Sequence, residues 1–79
     1  MRITYDPSHN IAYLRLKEKT EQVETIRVGD ALNVDIAPDG TIYGIELLNA
    51  NDQLLGGDQG TLVVINESAG ERCEIPLKR

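Results

Sequence analysis

The sequence predicts a mainly β protein, a β-rich α+β fold built on an antiparallel meander sheet with one short helical element. Three observations carry this. The apolar residues are nearly all branched aliphatics, Phe and Trp are absent, and Tyr5, Tyr13 and Tyr43 are the aromatics; that mix favours strands. Apolar residues recur at a period of two in short runs, not at helical spacing. The runs are joined by short turn-forming stretches, whereas a parallel crossover needs about a dozen residues or more.

Each element follows in order. "RITY" at 2–5 alternates, with Ile3 and Tyr5 on one face. "DPSHN" is a turn, because Pro7 fixes φ and Asp6 and Asn10 form turns. "IAYLRLK" at 11–17 is a second strand, with Ala12, Leu14 and Leu16 on one face and Ile11, Tyr13 and Arg15 on the other. Tyr and Arg there can cover a neighbour and still reach water. "VETIRV" at 23–28 is a third strand with Ile26 and Val28 facing inward, and "GD" turns the chain into "ALNVDI" at 31–36. "TIYGIELL" at 41–48 returns after "APDG". "NANDQLL" at 49–55 is a short helical turn with Asn49 or Asn51 as N-cap. "TLVVI" at 61–65 is strongly β-prone without alternation, so it is buried on both faces or against a partner. "RCEIPL" at 72–77 is a last strand, restricted by Pro76 to an edge or an end.

The hairpin over 31–48 can be tested by register. Taking Ala37-Pro38-Asp39-Gly40 as a four-residue loop places Val34 opposite Tyr43 and Leu32 opposite Ile45, so apolar residues meet on one face. A three-residue loop would set Leu32 against Glu46 and mix the faces. Pro38, Asp39 and Gly40 suit successive positions of a type I turn followed by a φ > 0 residue. In this register Asp35 and Glu46 lie four residues apart, roughly 13 Å. Paired carboxylates in glycosidases sit about 5–9.5 Å apart. Asp39 stands at the solvated tip, so the three acids read as surface charge.

With 79 residues, the chain is expected to be a single small domain over 1–79, with 56–79 as a C-terminal extension bearing extra strands. Such a domain buries only roughly 60% of its unfolded surface. One cysteine, Cys73, and one histidine, His9, allow neither an internal disulfide nor a Cys/His zinc cage. Oligomerisation is the remaining common way to add buried area, so a homo-oligomer, a dimer or larger, is expected. No apolar run nears the about 18 residues of a membrane span. No signal-peptide pattern opens the chain, and a free cysteine fits a reducing cytoplasm. The net charge is −5, and residues 21–67 hold nine acids and one base. That balance argues against nucleic-acid phosphates as partners and suits a basic protein.

Chemistry-bearing motifs are weak. "DIAPDG" departs from the calcium-loop spacing and lacks the twelfth-position Glu. His9 reads as an exposed turn residue and Cys73 as a structural strand thiol, with no further histidine to serve as its base. The glycines at 56, 57 and 60 match no phosphate-binding loop. No catalytic, cofactor-binding or metal-binding residue is assigned, and no cofactor is expected.

"ITYDPSHNIAYLRL" at 3–16 and "NVDIAPDGTIYGIELLNA" at 33–50 resemble the two signatures of a small bacterial family, domain of unknown function 2283. The resemblance implies a compact antiparallel β-rich domain with a small helical element. It brings no established activity and no catalytic residues. Some members resemble, by gene neighbourhood, the antitoxin partners of small ribonuclease-type toxins. Members usually stop soon after the "LLNA" region, so the tail from residue 56 is a departure; "TLVVI" is expected to pair with a sheet edge, its own or a neighbouring subunit's. The expected function is that of a non-enzymatic protein-interaction module, antitoxin-like or accessory. Two alternatives stand beside it: a ligand-binding or hydrolytic protein using Asp35, Asp39 and Glu46, and a purely structural assembly module.

Overall fold

A computed structural model describes residues 1–18, 22–57 and 60–77. In chain order the elements are β1 (Arg2–Asp6), β2 (Ile11–Arg15), β3 (Glu24–Arg27), β4 (Leu32–Ile36), β5 (Ile42–Leu48), α1 (Ala50–Leu55), β6 (Thr61–Asn66) and β7 (Glu71–Pro76). The first five strands form one sheet in the order β1-β2-β5-β4-β3, and β6 and β7 pair separately. All pairings are antiparallel. The fold is therefore mainly β with one short helix, as the sequence predicts. The order departs from a plain meander at one point. β2 pairs with β5, not with β3, and the chain passes to the opposite edge of the sheet before β3. β5, the longest strand at seven residues, takes the centre.

The β4–β5 hairpin keeps the expected type I turn but neither the expected four-residue loop nor the expected register. Gly40 N–H donates to the Ala37 carbonyl and Ala37 N–H donates to the Thr41 carbonyl, both at 2.9 Å. Gly40 adopts φ 90°. Pro38-Asp39-Gly40 is thus a three-residue loop, a type I turn followed by a left-handed residue. Such a loop alone would mix the faces. A bulge between the Asp35–Gly44 and Ile36–Ile42 pairs inserts Tyr43 and shifts the register once more. Two single-residue shifts restore the parity. Leu32 meets Leu47, Val34 meets Ile45, Asn33 meets Glu46 and Asp35 meets Gly44. The bulged Tyr43 carbonyl is held by Leu16 N–H at 2.9 Å and Lys17 N–H at 3.2 Å, just past β2.

One face of the sheet is apolar. Ile3, Leu14, Ile45, Val34 and Ile26 form a row across all five strands, followed by Tyr5, Ala12, Leu47 and Leu32. α1 sits at the end of this second row. Tyr5 Oη donates to Asn51 Oδ1 at 2.6 Å, and Gln53 Nε2 donates to the Ala31 carbonyl at 3.0 Å on the other side. Ala50, at the helix start, is completely buried. Beyond the helix nothing among the described residues covers the first row fully, and no large side chain is fully buried. Ile26 and Val28, expected to face inward, are exposed, because β3 is an edge strand of this open face.

The helix cap also differs from expectation. Asn49 stands at the N-cap with φ 57° and makes no side-chain cap bond. Asn10, from the β1–β2 turn, does the capping. Its carbonyl accepts from Ala50 N–H at 3.1 Å, and its Oδ1 accepts from Asn51 N–H at 2.7 Å. Asn10 itself adopts φ 59°, which Asn tolerates better than most residues.

β6 and β7 form a two-stranded ribbon outside the main sheet, so "TLVVI" pairs with residues 72–76 and not with an edge of its own chain's main sheet. Pro76 stands at the end of β7, as expected. The base of the ribbon is tied down: Leu77 N–H donates to the Gly60 carbonyl at 2.8 Å, and Gly60 abuts Leu55 of α1. The radius of gyration is 14.0 Å, against about 12 Å for a compact chain of this length. No helix among the described residues is long and apolar enough to cross a membrane.

The cap yields a prediction. Asn10→Gly keeps the backbone freedom but removes the side-chain acceptor, and it should lower unfolding free energy by about 0.5–1.5 kcal/mol in urea titrations, the net worth of the lost hydrogen bond. Asn10→Ala should cost more, because Ala is also strained at positive φ.

Candidate functional site

The opposite face of the sheet is polar, and its alternation puts a specific set of side chains together. Arg2, Arg15, Gly44, Asp35 and Thr25 lie side by side across the five strands. The next row is Thr4, Tyr13, Glu46, Asn33 and Arg27. Tyr13 leans diagonally from the second row into the first. Its Oη donates to Asp35 Oδ2 at 2.6 Å, and Thr25 Oγ1 donates to Asp35 Oδ1 at 2.6 Å. Gly44 makes this possible. A Cβ at that position would collide with the Tyr13 Oη, Cζ and Cε1 atoms. One carboxylate thereby joins β2, β4 and β3 across β5.

Asp35 is the buried charge of the described residues, at 6% exposure. Its carboxylate receives charge-assisted hydrogen bonds on both oxygens, which offsets desolvation. No buried side-chain polar atom among the described residues lacks a partner. The same bond acts on the tyrosine. Burial first, and the Asp35 hydrogen bond second, push the Tyr13 phenol up to about 12.

The three acids singled out from the sequence do not converge. Asp39 stays at the turn tip, exposed, with its Oδ1 accepting from Thr41 N–H at 2.9 Å; the Thr41 side-chain hydrogen bond first, and this backbone bond second, pull its pKa below the ordinary carboxylate value. Asp35 and Glu46 are closer than the expected roughly 13 Å. The extra register shift makes them diagonal neighbours, about 7–8 Å apart at the backbone. Each is nonetheless held by its own donors, since Asn33 Nδ2 binds Glu46 Oε1 at 2.9 Å. The acid-rich middle of the chain does not form one face either. Asp30 and Asp39 flank opposite ends of β4, Asp35 is buried, and Glu24 shares the apolar face.

His9 is exposed, as expected, and Asp6 orients it. Its Nδ1 lies 2.7 Å from Asp6 Oδ2. Hydrogen bonds from Ser8 first and His9 second draw the Asp6 carboxyl down to about 2. Cys73 is on a strand but exposed, and its neighbour Arg72 pairs with Glu74 at 2.6 Å. No group of three or more His, Cys, Asp or Glu among the described residues could hold a metal ion. A shallow depression of about 410 Å³ lies beside the cluster, lined by Arg2, Thr4, Tyr13 and Arg15. Sequence reasoning placed Tyr13 on the right face but missed its bond to Asp35, the second donor Thr25 and the room left by Gly44. A glycine inside a strongly β-prone run was the available signal, because such a glycine marks a close approach.

A family model described as protein of unknown function (DUF2283) matches residues 2–51. The chain belongs to the DUF2283 family. The matched span contains the whole five-stranded sheet and the start of α1, and with them Tyr13, Thr25, Asp35 and Gly44. The β6–β7 ribbon lies outside the DUF2283 match. No curated protein and no solved structure matches the chain.

Two outcomes follow from this cluster. Gly44→Ala should destabilise the wild-type chain by about 1–3 kcal/mol, because it expels Tyr13 and strips a donor from buried Asp35. In a Tyr13→Ala background the same change should instead stabilise by about 0.5–1 kcal/mol, the ordinary gain of Ala over Gly in a strand. Thermal or urea unfolding of the four chains checks the reversal. The second outcome concerns alkaline pH. A phenol raised from 10.0 to about 12 contributes stability that is whole below about pH 10 and is lost as pH climbs through about 12. Tyr13→Phe should abolish that part of the alkaline loss.

Proposed function

We propose that the protein is a non-enzymatic interaction module whose first partner is a second copy of itself. One observation supports this above the others. The chain leaves apolar surface open on two elements, the sheet and the ribbon, while no large side chain among the described residues is fully buried. Ile3 and Ile26 on the sheet are 38% and 43% exposed, and Val64 and Ile75 on the ribbon are 51% and 45% exposed. A small domain with so little core gains stability by association. The polar face supports the same reading, because its carboxylates are occupied in holding strands together.

The antitoxin-like or accessory role belongs to this proposal as its finer form. The assembled module would meet a basic protein through its acid surplus, in the cytoplasm, where the exposed Cys73 stays reduced. Exposed carboxylates of the acid-rich stretch that lie off the apolar face include Asp30 and Asp39. Reversing both to Lys should weaken capture of that partner at least about tenfold while leaving self-assembly intact; unchanged capture would remove the basic-partner form.

The first test is solution mass. Sedimentation equilibrium over the micromolar range should give at least twice the 8.7 kDa chain mass. A monomer at every concentration would defeat the proposal.

A further inference from the structure

Two arginines stand directly opposite one another at the β1 edge of the polar face. Arg2 pairs with Arg15 in the β1–β2 register, and Thr4 pairs with Tyr13 in the next row. The Cβ atoms of such pairs lie about 4.5–5.5 Å apart, and like charges placed so destabilise a sheet. The acids of the chain do little to offset this one. Among the described residues Arg2 makes no ion pair, and Arg15 meets Glu18 alone, at 3.2 Å. The Glu18 side chain is 78% exposed, and ion pairs so open to water contribute little. Asp6 stands at the far end of β1 from Arg2 and is held by Ser8 and His9. Asp35 and Glu46, on the central strands, are bound by Tyr13, Thr25 and Asn33. Arg27, on the same face at the opposite edge, is treated differently. It closes on Asp30 at 2.9 Å and on the Gly29 carbonyl at 3.1 Å.

Arg2, Thr4, Tyr13 and Arg15 line the depression of about 410 Å³, a size that suits a small organic molecule. We propose that this depression binds a small phosphate monoester, with the phosphate held between Arg2 and Arg15. Charge decides between the oxyanions. A phosphate monoester carries about −1.5 to −2 at pH 7 and offsets both guanidiniums. A carboxylate carries a single charge, and Arg15 already has one carboxylate in Glu18.

The donor set agrees. Each guanidinium presents a planar fork of N–H groups that matches phosphate oxygens. Thr4 adds a hydroxyl from the next row. Tyr13 has its proton committed to Asp35, so it does not compete for the anion. Its ring, laid over Gly44, gives the organic part of the ligand a flat wall. The four residues lie within the family match. The site is on the polar face, so it stands whether or not the chain self-associates.

The experiment is an NMR titration of the isotope-labelled full chain with phenyl phosphate, read at the amides and the arginine Nε–H groups. The shifts should saturate and centre on Arg2, Thr4 and Arg15. Inorganic phosphate should compete. Benzoate, with the same ring and one charge fewer, should bind at least about tenfold more weakly. Arg2→Gln and Arg15→Gln should each lower affinity for phenyl phosphate at least about tenfold, whereas Arg27→Gln should leave it unchanged. Without ligand, Arg2→Gln should keep or raise the urea midpoint, because it relieves the repulsion across the pair. Phenyl phosphate should raise the midpoint of the wild-type chain and not of this variant. Shifts that fail to saturate, or that follow Arg27 and Lys17 equally, would reduce the effect to counterion attraction and overturn the proposal. Equal binding of benzoate, or wild-type affinity in the Arg2→Gln and Arg15→Gln chains, would also overturn it. So would a ligand-free Arg2→Gln chain less stable than the wild type, since the arginine pair would then serve the fold.

Discussion

The Tyr13–Asp35 hydrogen bond across Gly44 is the constraint on which the rest of the sheet depends. It ties β2 to β4 over the top of β5, while Thr25 fastens β3 to the same carboxylate. A hydrogen bond to a charged group outweighs a neutral one, and the penalty for leaving a buried carboxylate unpaired is larger still. The bond also selects a register. Only when Gly44 stands opposite Asp35 is there room for the ring, and that alignment requires the bulge at Tyr43. The bulge is thus part of the same device as the polar cluster.

Burial is split between the two faces of the sheet. The polar face holds Asp35 and Gly44 buried, and the apolar face holds Ala12. The apolar face is half-covered by one short helix. The internal bonds of the polar face tie β2, β4 and β3 together whatever covers the apolar face. The acids of the cluster serve architecture, and their proximity to one another is a by-product of register.

Much of the fold was legible in the residues. Alternation assigned the strands of the sheet to the correct faces except at the start of β5, where the bulge sets Ile42 beside Ile36, and Pro38-Asp39-Gly40 specified the type I turn though not the length of its loop. The register of that hairpin was not legible, because a bulge leaves no local signature at Tyr43 and a second shift of one residue undoes the error of the first. Faces survived while partners changed: Asp35 met Gly44 in place of Ile42. The helix cap was hidden for a different reason. Its donor groups are local, but the acceptor, Asn10, is some forty residues upstream and joins only when β1–β2 reaches the helix. At the site, the three carboxylates drew attention by chemistry, whereas the decisive residue was one with no side chain at all.

The most direct measurement is the environment of Gly44 by NMR. A phenol ring lying over that residue should shift its Hα resonances strongly upfield, and cross-relaxation should link them to the Tyr13 ring protons. Replacing Tyr13 by Ala should return the Gly44 shifts to ordinary strand values. Gly44 resonances already at those values in the wild-type chain, with no contact to Tyr13, would contradict the lacing of the sheet through Asp35 and the account built upon it.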